Sequence, residues 1–364
     1  MTAEKKINLA LIYGGKSTEH EVSLRSARSI YEKLDKDKYN VVLLGVSQSG
    51  RWLLADEAAN LLTETTVSES NSRQVVPTGK GAMSLVAAES GNELEAIDVV
   101  FPIIHGAGGE DGSLQGMLEL LDVPYVGCGV LGSAVGMDKD VTKRLLRDAG
   151  VEVAPYATLR STDSWQAELD AIVATLHYPL FVKPANLGSS VGITKVKIRE
   201  ALEVAVADAF TFDQKVLIEK AIEGREIEVA VLGNEKPEAS VPGEILPHHE
   251  FYSYEAKYVD EHGASLSLPA KLSTSETEEV RMLACRIFKT LELSGMARVD
   301  FFLTQDGRWI CNEVNSPPGF TTISMYPKLW EISGVPFTEL LDRLIALAVE
   351  KKKAQRKLRR QYQH

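Results

Sequence analysis

The chain has 364 residues, 44% hydrophobic and 25% charged, enough to bury a large core and to build two or three domains of ordinary size. Its formal charge of -11 argues against a nucleic-acid surface, because counterion release needs clustered Lys and Arg. The basic run Lys351 to Arg360 reads as a solvated helix end rather than a binding tail.

In chain order, the apolar run Ile7 to Tyr13 is far shorter than a membrane span and stops at Gly14-Gly15, so neither a signal peptide nor a membrane helix is expected. Ile7 to Tyr13, Val41 to Val46 and Asp98 to Ile104 are β-rich, with a helical pattern at Val22 to Leu34 between them, and together they predict an open α/β sheet. Ligand loops should follow the carboxyl ends of such strands, here Gly14 to Glu21 and His105 to Gly112. Thr63 to Gly91 shows little periodicity and is expected as a surface excursion. A helix at Lys139 to Ala149 then opens a second region. Its strands are expected at Leu180 to Lys183, Ser190 to Val196 and Val216 to Lys220, with a helix at Arg199 to Phe210. Strands near Glu226 to Leu232 and Met296 to Leu303, a polar loop from Pro247 to Gly263, and helices at Ser275 to Leu291 and Phe337 to Lys351 make a third. Cys128, Cys285 and Cys311 are odd in number and without a C-x-x-C spacing, which points to a reducing cytoplasm rather than a disulfide framework or zinc site.

The stretch Ala297 to Gly319 is the most informative. Asp306-Gly307 between two apolar strands is a two-residue hairpin signal. With those turn residues Gln305 faces Arg308, Asp300 faces Glu313 and Arg298 faces Asn315. Strand alternation then puts Asp300, Glu313, Arg298 and Asn315 on one face. Two opposed carboxylates repel unless something sits between them, and a hard divalent cation held by carboxylate and amide oxygens removes the conflict. The alternative is a solvated polar face on which Arg298 neutralises the acids.

Residues 183–192, KPANLGSSVG, place a lysine at a strand end before a glycine- and serine-rich loop able to offer N–H groups to phosphate oxygens, although a plain turn would also explain the glycines. Two better-known signatures fail. Gly15-Lys16-Ser17 ends like a Walker A loop, but Ala10 stands where its first glycine is required. Gly127, Gly129 and Gly132 fit G-x-G-x-x-G without the acidic partner of a dinucleotide site.

These residues, with GGKSTEHEVS at 14–23, HGAGGEDGSLQG at 105–116, MDKDVTK at 137–143, LIEK at 217–220, YEAKY at 254–258, ARVDFF at 297–302 and NEVNSPPGFTTIS at 312–324, make the chain resemble the D-alanine:D-alanine ligases along nearly its whole length. The resemblance implies an ATP-grasp fold, α/β with an α+β C-terminal half, behind a Rossmann-like open parallel sheet. It divides the chain into a substrate domain at 1–128, a central subdomain at 129–222 and a C-terminal subdomain at 223–364. It also implies an activity. ATP phosphorylates one D-alanine carboxylate, and the amine of a second D-alanine attacks the acyl phosphate to give the dipeptide used in peptidoglycan.

The roles implied are as follows. Glu19 holds the first ammonium, and His105 belongs to the same substrate pocket. Lys139, Lys183 and Ser190 meet ATP phosphates, Glu219 and Lys220 the adenine edge, and Glu226 the ribose. Asp300, Glu313 and Asn315 hold magnesium, with manganese as a substitute and two ions per site. Arg298 and the Gly319 amide steady the oxyanion, and Ser324 with the Met325 amide binds the second carboxylate. Lys257 and Tyr258 sit on a loop that closes over the site, Lys257 toward the phosphates and Tyr258 toward Ser189 and Glu19. Tyr258 favours the dipeptide over D-lactate. Asn315-Ser316-Pro317-Pro318-Gly319 departs from the usual Asn-Thr-x-Pro-Gly and puts the placement of the Gly319 amide in question. The resemblance further implies a cytoplasmic homodimer binding small molecules, with no membrane partner. The rivals are a ligase of this fold using D-lactate or D-serine, and a non-catalytic nucleotide-binding protein.

Overall fold

The computed structural model describes residues 5–55, 63–69, 72–79, 83–247 and 264–359; the expected loop residues Lys257 and Tyr258 lie outside them. Three sheets organise the described residues. The first contains β1 (Ile7–Gly14), β2 (Tyr39–Val46), β3 (Trp52–Ala55), β4 (Ser72–Gly79), β5 (Met83–Ala87), β6 (Glu93–Ile97) and β7 (Val99–Pro102), in the order β6-β5-β4-β3-β2-β1-β7. β1 runs parallel to both β2 and β7. Its alternate side chains enter two different cores: Leu9, Leu11 and Tyr13 pack with helix α1 (His20–Lys33), Ala10 and Ile12 with helix α2 (Ser113–Leu120). A strand covered on both faces must be apolar throughout, hence the unbroken run read from the sequence.

The expectation of a parallel sheet needs correcting beyond β2. β3 to β6 form an antiparallel meander, and β4 and β5 lie within the segment expected as a surface excursion. Met83, Leu85 and Ala87 do alternate with Ser84 and Val86, but Val75 is the one fully buried side chain of β4, so the signal was diluted by polar outward positions.

The second sheet holds β8 (Tyr156–Arg160), β9 (Leu180–Pro184), β10 (Thr194–Val196) and β11 (Lys215–Lys220), all antiparallel in the order β10-β9-β11-β8. Helices α3 (Val130–Met137) and α4 (Lys139–Asp148) lead into it. Helices α5 (Leu169–Leu176) and α6 (Arg199–Ala209) cover one face, burying Val182, Val196, Val216 and Ile218 and turning Phe181, Lys183, Leu217 and Glu219 to the other.

The third sheet holds β12 (Arg225–Gly233), β13 (Glu238–Ala239), β14 (Gly243–Pro247), β15 (Ala264–Ser267), β16 (Gly295–Leu303) and β17 (Trp309–Asn315). Ile227, Val229, Val231, Ala297, Val299, Phe301 and Leu303 face helix α7 (Thr274–Thr290), whose start is fixed by a capping box between Ser273 and Glu276. The other face changes character along its length. Ala230, Leu232 and Met296 join the core built by α1, α8 (Met325–Ile332) and α9 (Phe337–Arg356), whereas Glu226, Glu228, Arg298 and Asp300 beyond them are charged. That change marks where the packed core ends and the cleft begins.

The glycines that imitate a dinucleotide fingerprint serve packing. A Cβ on Gly132 would meet the Glu292 carbonyl oxygen at 2.5 Å, and one on Gly295 would lie 3.0 Å from the Gly127 Cα. Backbone therefore abuts backbone where the first region meets the third.

Candidate active site

The site is a cleft of about 1130 Å³, counted to its open mouth, between the charged faces of the second and third sheets. On the third sheet Asp300 pairs with Glu313 and with Glu228, and Arg298 with Asn315. The Arg298 guanidinium donates to both Asp300 oxygens at 2.7 and 2.6 Å and lies 3.0 Å from Glu228 Oε2, while Asn315 Nδ2 donates to Asp300 at 3.0 Å. Burial works against the Arg298 charge, but Asp300 and Glu228 outweigh it and raise its pKa well above the ordinary value.

The expected turn must be corrected even though the expected facing pairs are present. Gln305 does not face Arg308. Thr304 does, accepting the Arg308 N–H on its hydroxyl at 3.0 Å, and the loop is three residues ending at Gly307 with φ of 81°. A bulge then absorbs Asn312 as an extra residue between the Phe301–Cys311 and Asp300–Glu313 pairs. One residue more in the turn and one more in the strand cancel, which restores the alignment of the acids.

On the second sheet Glu219 is buried between two lysines, Lys143 Nζ at 3.2 Å from Oε1 and Lys183 Nζ at 3.2 Å from Oε2. Burial pushes this carboxyl up, but the two ammonium groups outweigh it and hold it below the usual carboxylate range. Lys143 hydrogen-bonds Oε1, and Lys183 forms an ion pair with Oε2. Lys220 is exposed at the strand end, and Lys220, Glu226 and Ser190 line the same cleft. Lys139, first in α4, donates to the Leu187 carbonyl in the glycine-rich loop. Asp138 caps α4 through the Asp140 and Val141 amides and is itself paired with Lys215, so the helix end carrying Lys139 is fixed from the sheet. Ser189 and Ser190 both adopt left-handed φ, 52° and 60°. Ser190 therefore belongs to the loop rather than to the expected strand, which begins at Thr194.

The first region reaches this loop directly. Ser189 Oγ donates to buried Glu19, and Gly106 makes room, since a Cβ there would lie 2.7 Å from Glu19 Oε2. His105 is buried with both ring nitrogens engaged, Nδ1 3.2 Å from Glu110 and Nε2 3.0 Å from Ser26 Oγ, which accepts the Phe320 N–H at 3.3 Å. The carboxylate can only accept, so a neutral ring carries its proton on Nδ1 and takes the Ser26 hydroxyl proton on Nε2. Gly319 lies beside that amide, and a Cβ on it would meet Ser324 Oγ at 2.9 Å. Ser324 precedes α8, and Met325 is its first residue.

Several residues here escaped sequence reading. Glu228 lies two residues from Glu226 on the same strand face, Lys215 four from Glu219, and Lys143 four from Lys139 on a helix; those spacings were the available signal. Ser26 and Glu110 gave none.

For a metal, the donors are hard oxygens. Among the described residues no three His, Cys, Asp or Glu side chains form a self-sufficient cage. Two carboxylates and an amide instead leave positions for phosphate oxygens, the manner in which magnesium is held with nucleotides.

Two antiparallel sheets closing on a nucleotide-sized cleft, one bearing lysines and a glycine-rich loop and the other a row of acids, define an ATP-dependent ligase of the ATP-grasp class. Family models described as D-ala D-ala ligase N-terminus and D-ala D-ala ligase C-terminus match residues 8–128 and 145–346. The chain belongs to the D-alanine–D-alanine ligase family. It is 50% identical over 359 residues to a D-alanine–D-alanine ligase of Oceanobacillus iheyensis, covering 97% of this chain and 98% of the relative. It is 47% identical over 361 residues to D-alanine–D-alanine ligase A of Escherichia coli K12, covering 98% and 99%. Among solved structures, the D-alanine-D-alanine ligase from Coxiella burnetii matches with a TM-score of 0.85 and 40% identity over 97% of this chain and 96% of that one. The VanG D-Ala:D-Ser ligase from Enterococcus faecalis matches with 0.85 and 36% over 94% and 100%. The family uses ATP and a divalent metal.

Proposed function

We propose that this chain joins two D-alanine molecules into D-alanyl-D-alanine for peptidoglycan synthesis, with ATP driving the condensation. The observation that carries the reading is the contact of Glu19 with Ser189. It sets an acid suited to an amino-acid ammonium on the loop suited to a terminal phosphate, as phosphorylation of an amino acid's own carboxylate requires.

In this reading Lys139, Lys183 and Ser190 hold the ATP phosphates, Glu219 and Lys220 the adenine edge, and Glu226 the ribose. Asp300, Glu313 and Asn315 hold magnesium, two ions in the family pattern, which when bound neutralises charge on the phosphates. A D-alanine carboxylate oxygen attacks the terminal phosphorus and ADP leaves. The amine of the second D-alanine, freed of its proton, attacks the acyl carbon and phosphate leaves. Arg298, oriented by Asp300 and Glu228, and the Gly319 amide face the oxyanion that forms between those events. Ser324 and the Met325 amide, at a helix N-terminus, suit the second carboxylate. His105, with both nitrogens committed to protein groups, acts through Ser26 on the Gly319–Phe320 turn.

Purified protein given ATP, magnesium and D-alanine should yield the dipeptide by mass spectrometry, and supplying D-lactate or D-serine as competitor should leave it the main product. A main product with either competitor would reassign the acceptor. We also infer a cytoplasmic homodimer. Among the described residues no helix is long and apolar enough to cross a membrane, and exposed Leu120, Val130 and Leu131 on neighbouring helices α2 and α3 support self-association, which sedimentation would test.

A further inference from the structure

We propose that Lys143 is the permanent counter-ion of Glu219 and so a positioning residue for nucleotide binding: by holding that buried carboxylate alone, it releases Lys183 to the phosphates. The inference rests on the reading that ATP fills the cleft with Lys183 at its phosphates.

Glu219 is 2% exposed and has two ammonium groups at 3.2 Å, although one carboxylate needs one counter-ion. The two lysines are not equivalent. The Lys143 side chain is 3% exposed and hydrogen-bonds Oε1, whereas that of Lys183 is 13% exposed and lines the nucleotide-sized cleft. Lys143 is also anchored. It lies on α4, whose first turn is tied to the sheet through Asp138 and Asp140 on Lys215. Lys183 stands opposite Leu217 on β9, two residues along the sheet from Glu219, with a flexible stem directed into the cleft.

Without Lys143 the enzyme would face one of two costs. Lys183 stays on Glu219 and is lost to the phosphates, or it leaves and strands a buried charge with no partner. Both costs are incurred only when phosphates recruit Lys183. The loss should therefore follow the phosphates and not the nucleoside.

The test is calorimetric titration of ATP, ADP and adenosine, with magnesium present throughout, into the full-length wild type and the Lys143→Met, Lys143→Gln, Lys143→Arg and Lys183→Met variants. Lys143→Met, or Lys143→Gln should the first not fold, is expected to weaken ATP at least about tenfold, ADP less, and adenosine less than about twofold, with Lys143→Arg recovering most of the ATP affinity. Equal weakening of ATP and adenosine, or no change in either, would overturn the proposal while Lys183→Met still loses ATP selectively. If Lys183→Met itself shows no selective loss of ATP, the placement of the phosphates fails first and the proposal falls with it.

Discussion

Asp300 on β16 stands directly opposite Glu313 on β17, although the loop joining their strands is a residue longer than an Asp-Gly turn would give. The bulge at Asn312 makes the difference good, and it sits beside the acids it aligns. Bulges of this kind re-aim side chains at functional sites.

Glu313→Ala leaves Asp300 with Arg298 and Asn315 but takes away one oxygen donor. Turnover should fall at least about a hundredfold in a phosphate-release assay, with the thermal midpoint little changed. Raising magnesium tenfold should recover part of the loss; full activity at ordinary magnesium would show that Glu313 is no ligand.

Gly132 and Gly136 offer a matched pair on one helix. A Cβ at Gly132 would strike the Glu292 carbonyl at 2.5 Å, whereas at Gly136 it would lie 3.8 Å from a Leu293 methyl. Gly132→Ala should destabilise by about 1–3 kcal/mol. Gly136→Ala should be neutral or stabilise by up to about 1 kcal/mol, as alanine does in helix interiors. Denaturant midpoints of the two variants would check the contrast.

Ser26→Ala removes the acceptor of the buried Phe320 N–H and the donor to His105. Leaving such a group unpaired costs about 1–3 kcal/mol. Because the turn it holds carries Gly319, kcat should drop more than the KM for ATP rises. Steady-state kinetics with both substrates would separate these effects.

Glu219 has its carboxyl held below the usual range in the folded protein. A depressed folded pKa means stability that is present above the unfolded value, about 4.3 for glutamate, and lost as pH falls through the lower folded value. Glu219→Gln should therefore be less stable than wild type at neutral pH, with the gap narrowing as pH drops below about 4. Urea midpoints across acid pH would read it; a gap independent of pH would mean the charge of Glu219 contributes nothing.

The parallel core of the first sheet was legible because strands buried on both faces must be apolar end to end, as Leu9 to Tyr13 are. Its antiparallel extension was not, since β4 buries one side chain fully and its partners are polar outward. In the third sheet, alternation alone separates Ala297, Val299 and Phe301 from Arg298 and Asp300, so the charged face is legible whatever the turn. Lys143 and Lys215 were hidden for a different reason. Their four-residue spacings from Lys139 and Glu219 put them on the same faces as those residues, but their meaning depends on α4 crossing the cleft side of β11, a long-range contact.

The most direct measurement uses D-alanine labelled with oxygen-18 in its carboxylate, turned over with ATP and magnesium, with the released phosphate analysed by mass spectrometry. If the carboxylate attacks the terminal phosphorus, each phosphate released alongside dipeptide carries one labelled oxygen. Unlabelled phosphate, released at the same rate with or without D-alanine, would contradict the acyl-phosphate chemistry assigned to this cleft.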